Sequence, residues 1–274
     1  MVQTLAQIRA LLNEYGLAPK KSLGQNFLID HNLLRKLVDA AEVGKGDLVL
    51  EIGPGTGTLT EELLDRGCQV IASELDAGLC ALLRNRFGQF TNFALIEGDC
   101  LASKRALAPA LCERLAGRRF SLVANLPYGA GTPLILVLLT RHPECRGLFV
   151  TLQSEVAQRI MAAPGSEAYG AISVVSAACA QVTKIATLAP TCFWPRPGVE
   201  STMLAMVRRP NPLASDLISL AETTQRVFTQ RRKQLAAACR NLGWTPPPDI
   251  PPTRRVYELT CEDLVKLAAW VDKV

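Results

Sequence analysis

Apolar positions recur at helical spacing at the start of the chain. Leu5, Ile8, Leu11, Leu12 and Tyr15 share one face and Thr4 offers a capping hydroxyl, which predicts a helix over residues 4–15. A polar stretch, residues 20–26, separates it from a second helix around 32–41. The pattern then switches to short β-rich runs at 48–52, 70–73, 93–97, 120–124 and 148–152. Between them lie segments long enough for helices, such as 59–66 and 77–87. Strands separated by helix-length segments predict βαβ units and a parallel sheet covered on both faces.

After Gln153 the rhythm changes. Residues 172–180 are apolar, and strands are predicted at 182–188 and 201–207. Between those strands stand Pro190, Pro195 and Pro197, too many prolines for a regular element. From Pro210 onward helices are predicted at 217–228, 234–242 and 261–271, with a Pro-rich turn at 246–252. This places a boundary between residues 1–208 and a smaller helical domain, 209–274. A length of 274 residues suits one large domain plus a module.

Composition narrows the class. With 49% apolar and 20% charged residues the chain can fill a core, which excludes disorder, and 5% aromatics leave that core to aliphatic side chains. No apolar run approaches the ~20 residues of a membrane span. Arg9 and Glu14 make the first residues unlike a secretory signal. Nine cysteines, an odd number without a C-x-x-C pair, and only two histidines predict neither a disulfide framework nor a metal site. Thiols serving as core hydrophobes fit a reducing, cytoplasmic setting.

Charge is uneven. Residues 1–45 hold six basic and four acidic groups, residues 46–195 hold 12 and 13, and residues 196–274 hold 12 and 8. A near-neutral middle between basic ends suits a small-ligand site flanked by surfaces for a polyanion; solvated surface is the competing reading.

The run Leu48-Val-Leu-Glu51-Ile-Gly53-Pro-Gly55-Thr-Gly57 is a strand entering a Gly-rich turn and then a helix. Glycines suit a tight turn whose backbone approaches a ligand at the carboxyl end of a strand. Compared with the dinucleotide fingerprint, the third Gly comes one residue early and an acid precedes the first by two. That E-x-G-x-G-x-G pattern resembles motif I of S-adenosylmethionine-dependent methyltransferases. Glu74, 21 residues after Gly53, ends the next strand and can accept two ribose hydroxyls. Asp99, followed by Cys100, ends the third and can accept from an adenine amino group. Three strand ends in series fit a nucleoside-bearing cofactor.

The fourth strand ends in Asn125-Leu126-Pro127-Tyr128. An exocyclic base nitrogen is a poor nucleophile because its lone pair is delocalised into the ring. The Asn125 oxygen and a nearby carbonyl, that of Leu126, can accept both N–H hydrogens and hold the nitrogen toward tetrahedral geometry. Pro127 stiffens the turn, and Tyr128 offers a stacking face for a flipped base.

These motifs resemble the rRNA adenine N6,N6-dimethyltransferase family, and its bacterial small-subunit branch most of all. The resemblance extends through Ser22-Leu-Gly-Gln-Asn-Phe-Leu28, Leu152-Gln-Ser-Glu-Val156, Tyr169-Gly-Ala-Ile-Ser-Val174, Phe193-Trp-Pro-Arg-Pro-Gly-Val-Glu-Ser201 and Phe228-Thr-Gln-Arg-Arg-Lys233. It implies an α/β, Rossmann-like methyltransferase domain with a small C-terminal helical domain, acting as a cytoplasmic monomer without metal or membrane. S-adenosyl-L-methionine is the implied cofactor, held by Asn26, Leu28, Glu51, Gly53, Gly55, Glu74, Asp99, Cys100 and Asn125.

The implied reaction dimethylates two adjacent adenosines near the 3′ end of small-subunit rRNA in an assembling 30S-type subunit. Phe193 is implied to pack on the target base opposite Tyr128, although a core role reads equally well from the residues alone. Lys20 and Lys21, and Arg231, Arg232 and Lys233 on a predicted helix, are implied phosphate contacts, with a solvated face as the alternative. Gly129-Ala130-Gly131 and Trp194 depart from the family pattern and bear on pocket shape. A large-subunit methyltransferase conferring antibiotic resistance, an assembly factor acting mainly by binding, and a small-molecule N-methyltransferase remain as rivals.

Overall fold

A computed structural model of the chain describes residues 3–127, 129 and 131–271. Seven strands form one sheet: β1 (Leu48–Ile52), β2 (Gln69–Glu74), β3 (Phe93–Glu97), β4 (Phe120–Asn125), β5 (Cys145–Gln153), β6 (Ala180–Leu188) and β7 (Ser201–Arg208). Their order is β3-β2-β1-β4-β5-β7-β6. The first five pair in parallel, while β7 runs antiparallel to β5 and to β6. The predicted parallel sheet thus acquires one reversed strand, β7, between β5 and the edge strand β6. Its cause is local: residues 189–200 join β6 to β7 without a crossover helix, and strands joined that way pair antiparallel.

Helices cover both faces. Helices α1 (Leu5–Glu14) and α2 (His31–Ala40) precede the sheet, and α3 (Thr58–Asp65) and α4 (Ala77–Phe87) follow β1 and β2. On one face Val49, Val123 and Phe149 pack with Leu37, Leu63 and Leu83 of α2, α3 and α4. On the other, Leu50, Leu122 and Leu148 meet α5 (Pro109–Leu115), α6 (Gly131–Arg141), α7 (Ser154–Ile160) and α8 (Ala171–Cys179). Alternation along β1 therefore sends Val49 and Glu51 to the α2 face and Leu50 and Ile52 to the α6 face, and all five residues are buried.

The continuous apolar run 172–180 has a physical reason. Helix α8 turns Ile172, Val175 and Cys179 toward the sheet and Val174 and Ala178 toward a further core. A helix buried on two sides is apolar all round. That further core is completed by Leu220, Leu235 and Leu267 of α9 (Leu217–Phe228), α10 (Leu235–Leu242) and α11 (Cys261–Val271).

Helix starts follow side-chain caps. Thr4 accepts from the Gln7 amide before α1, Asp30 from Asn32 and Leu33 before α2, and Asp76 from Gly78 before α4. The proline-rich connection is more regular than its composition predicts. Pro190–Cys192 makes one 3₁₀ turn, and Phe193–Trp194 pairs antiparallel with Phe27–Leu28, supplying the ladder partner that two isolated residues lack. Phe27 stacks on Trp194 at 6.2 Å and shares a small core with Ile8, Leu12 and Leu79. Among the described residues no helix is long and apolar enough to cross a membrane, and no cluster of His, Cys, Asp and Glu is arranged to hold a metal ion.

Candidate active site

The carboxyl ends of β1, β2, β3 and β4 open onto one cleft of about 780 Å³, walled on the other side by the segment that precedes α2. Its floor is the turn after β1. Gly53 and Gly55 adopt φ of 69° and 61°, left-handed values that favour glycine. A Cβ on Gly53 would stand 3.1 Å from Pro127 Cγ, and one on Gly55 would stand 2.8 Å from Phe27 Cε1. The backbone therefore threads between Pro127 and Phe27 with room for no side chain.

Two carboxyl groups lie at this floor. Glu74 is buried; its Oε2 accepts from the Gly55 amide at 3.2 Å and its Oε1 from the Asp76 amide at 3.0 Å. Burial raises its pKa, against the amide donors, which lower it. Each oxygen retains a lone pair for a ligand hydroxyl. Glu51 is 1% exposed and accepts from the Thr60 hydroxyl at 2.7 Å. Burial pushes its pKa up to about 8; the Thr60 donor opposes the shift and nearby Glu74 adds to it. At neutral pH Glu51 is thus a neutral acid, able to donate as well as accept. Asp99 is exposed at the end of β3, with Oδ1 accepting from the Leu101 amide at 2.9 Å, and buried Cys100 follows it.

Asn125 ends β4. Its Nδ2 donates to the main-chain oxygen of Asn26 at 2.9 Å, and Asn26 Nδ2 in turn donates to the Gly24 oxygen at 3.1 Å. With the nitrogen committed, the group Asn125 can offer a substrate amine is Oδ1. Leu126, whose amide donates to the Thr151 oxygen at 3.2 Å, carries its carbonyl at the same strand end.

The structure brings Asn26, Leu28, Glu51, Gly53, Gly55, Glu74, Asp99, Cys100, Asn125, Leu126 and Pro127 to this one cleft, with Lys21 at its edge. Tyr128 and Ala130 lie outside the described residues. Three expected sites sit in settings that the sequence did not show. Phe193 does not line the cleft: it is 3% exposed, packed in the α2-side core and held opposite Leu28 by strand pairing. Lys20 is tied to a partner within the chain: its Nζ pairs with Asp76 Oδ2 at 2.9 Å, and the side chain stays half-exposed.

The third concerns Arg231, Arg232 and Lys233, which sit in the turn between α9 and α10 rather than on a helix. The Arg231 guanidinium donates to the main-chain oxygens of Ser166, Glu167 and Tyr169, which makes it a brace. Arg232 and Lys233 are exposed.

Sequence reading missed Gln3. Its buried amide donates to the Thr56 oxygen at 3.2 Å and accepts from the Thr56 and Thr58 hydroxyls at 2.9 and 3.2 Å. The N-terminus is thereby fastened to the glycine turn, and a lone Gln carries no pattern that signals this.

Residues 16–261 match the family described as "Ribosomal RNA adenine dimethylase". The chain belongs to this family. Within the ribosomal RNA adenine dimethylases, its relatives include the protein named Ribosomal RNA small subunit methyltransferase A of Phenylobacterium zucineum (strain HLK1). The two are 39% identical across 89% of this chain and 84% of the relative. The protein of the same name from Moorella thermoacetica is 40% identical across 89% and 86%. Among solved structures, a dimethyladenosine transferase from Plasmodium falciparum superposes with a TM-score of 0.72 at 23% identity, covering 89% of this chain and 96% of that one. The 23S rRNA methyltransferase ErmE superposes at 0.62, also at 23% identity, covering 90% and 99%. These two share the Rossmann-like methyltransferase fold with the dimethylase chain.

Proposed function

We propose that the chain transfers methyl groups from S-adenosylmethionine to N6 of two adjacent adenosines near the 3′ end of small-subunit rRNA, in an assembling subunit. The observation that carries this reading is the Asn125 amide, anchored through its nitrogen at the mouth of a cleft floored by Gly53, Gly55 and Glu74. The name shared by the Phenylobacterium and Moorella relatives supports small-subunit over large-subunit rRNA.

The residues present fit the cofactor: side-chain-free backbone at Gly53 and Gly55, a buried carboxylate with spare lone pairs at Glu74, and an exposed acceptor at Asp99. Bound there, S-adenosylmethionine supplies an electrophilic methyl group on a positively charged sulfur. Asn125 Oδ1 and the Leu126 carbonyl accept the two N6 hydrogens and free the nitrogen lone pair. Pro127 fixes the turn that carries both acceptors, and Tyr128 provides a stacking face for the base. Catalysis rests on position and fixed dipoles; the methylated nitrogen is acidic enough to lose its proton to water.

In this reading residues 1–208 form the methyltransferase domain and 209–274 an RNA-facing unit, with Lys21, Arg232 and Lys233 touching phosphates. A monomer belongs to the same reading. The test is transfer of a labelled methyl group to unmethylated small subunits, mature rRNA and large subunits, followed by mapping. Incorporation at two neighbouring adenosines of the small subunit is expected; incorporation confined to large subunits overturns the reading.

A further inference from the structure

The wall of the cleft opposite the sheet is the segment from Lys21 to Leu28. It is held at one end by Asn125, through Asn26. At its other end stands Asp76, which does not line the cleft. Its side chain is 2% exposed, and Oδ2 receives both Lys20 Nζ at 2.9 Å and Gln25 Nε2 at 3.0 Å.

Gln25 closes the segment on itself, because its Oε1 accepts from the Lys20 amide at 2.7 Å. Asp76 Oδ1 is occupied by the Gly78 amide at 3.0 Å, and the Asp76 amide donates to Glu74 Oε1 at 3.0 Å. One residue therefore caps α4, holds the carboxyl of Glu74 and fastens the wall.

We infer that Asp76, with Lys20 and Gln25, is a clasp that positions the Lys20–Asn26 segment and, through it, both the cofactor wall and the Asn125 amide. Asp76 is a positioning residue: it acts through Glu74, Gln25 and Asn26. Charge makes the clasp strong, since a carboxylate between an ammonium and an amide donor forms shorter, firmer bonds than neutral partners do. Burial works to raise the Asp76 pKa, yet the donors from Lys20, Gln25 and Gly78 outweigh it and hold the group below the usual carboxylate range. The clasp is therefore ionised throughout the neutral range. Lys20 thereby acts on the segment that walls the cleft.

This inference rests on the methyltransferase reading, and the experiment separates the two. S-adenosylhomocysteine binding is measured by calorimetry without RNA, and kcat and KM on small subunits, for wild type, Lys20→Met, Gln25→Leu, Asp76→Asn and the Lys20→Met/Asp76→Asn double variant. Lys20→Met leaves the α4 cap intact, since Asp76 Oδ1 still accepts from the Gly78 amide, and its melting temperature is read alongside. It is expected to weaken S-adenosylhomocysteine binding roughly tenfold and to lower kcat, with Lys20→Arg restoring both. The double variant is expected to be no worse than Asp76→Asn alone.

The clasp is overturned if wild type binds S-adenosylhomocysteine and Lys20→Met and Gln25→Leu bind it equally well, or if Lys20→Met changes only the KM for rRNA. A wild-type protein that binds no S-adenosylhomocysteine overturns the methyltransferase reading instead.

Discussion

Asn125 and Asn26, 99 residues apart in sequence, are joined by a hydrogen bond of 2.9 Å from the Asn125 side-chain nitrogen to the Asn26 main-chain oxygen. That bond decides which end of the amide a substrate meets. Asn125→Ala removes the acceptor and is expected to lower kcat by roughly 10²–10³-fold while S-adenosylhomocysteine still binds. Asn125→Asp keeps an acceptor but loses the donor to Asn26, and its charge opposes that carbonyl. It should fall nearly as far. Single-turnover transfer of labelled methyl groups checks both, and wild-type turnover in Asn125→Ala would sink the mechanism.

Glu51 ties stability to pH. Its carboxyl ionises near 4.5 in the unfolded chain and at about 8 when folded. Between those values the unfolded chain has released a proton that the folded protein keeps, so stability is fully present below 4.5 and is lost as pH rises through 8. Glu51→Gln removes this slope. Urea melts at about pH 5 and about pH 9 should show wild type losing on the order of a few kcal/mol relative to the variant at the higher pH.

Gly57 caps α3 at φ 85°, and a Cβ there would lie 2.3 Å from Phe87 Cε2 and 3.1 Å from Leu83 Cδ2. Both neighbours are buried in the α2-side core. Gly57→Ala is expected to cost roughly 2–4 kcal/mol, from left-handed strain and overpacking together. Chemical denaturation measures it.

The basic turn after α9 divides into two functions. Arg231→Met removes the guanidinium donor from the carbonyl oxygens of Ser166, Glu167 and Tyr169, of which Ser166 keeps the Tyr169 amide, and should lower stability by roughly 1–3 kcal/mol. The dependence of rRNA affinity on salt should not change. Arg232→Ala with Lys233→Ala should leave the melting temperature alone and reduce the slope of log affinity against log salt by roughly 0.7–0.9 per charge removed. Binding titrations at several salt concentrations separate the pairs.

How legible each feature was in the sequence depended on where its partner lies. Strands β1, β2 and β4 were legible because runs buried on both faces are rich in apolar residues, as four of the five residues of β1 illustrate. Gly53, Gly55, Glu74 and Asp99 were legible because each follows or ends a strand, where a glycine or carboxylate stands out, whereas Asn26 and Leu28 came only with the family resemblance. Arg231 was not: its acceptors are main-chain oxygens, which any sequence supplies. The pairing of Phe193–Trp194 with Phe27–Leu28 was hidden for a related reason, since two residues make no period and their stability comes from a distant stretch. Lys20 carried a charge whose sign was readable, but not its partner Asp76.

That short ladder is completed late in the protein's own synthesis. Every residue lining the cleft lies at or before Pro133, so the nascent chain contains the whole lining by its midpoint. Leu28, however, finds its partner only in Phe193, and Phe27 in Trp194. Loop closure over so long a span waits for late residues. A nascent chain halted before Phe193 would hold the glycine turn and Glu74 beside a wall fastened by Asp76 and Asn125 but lacking its strand partner.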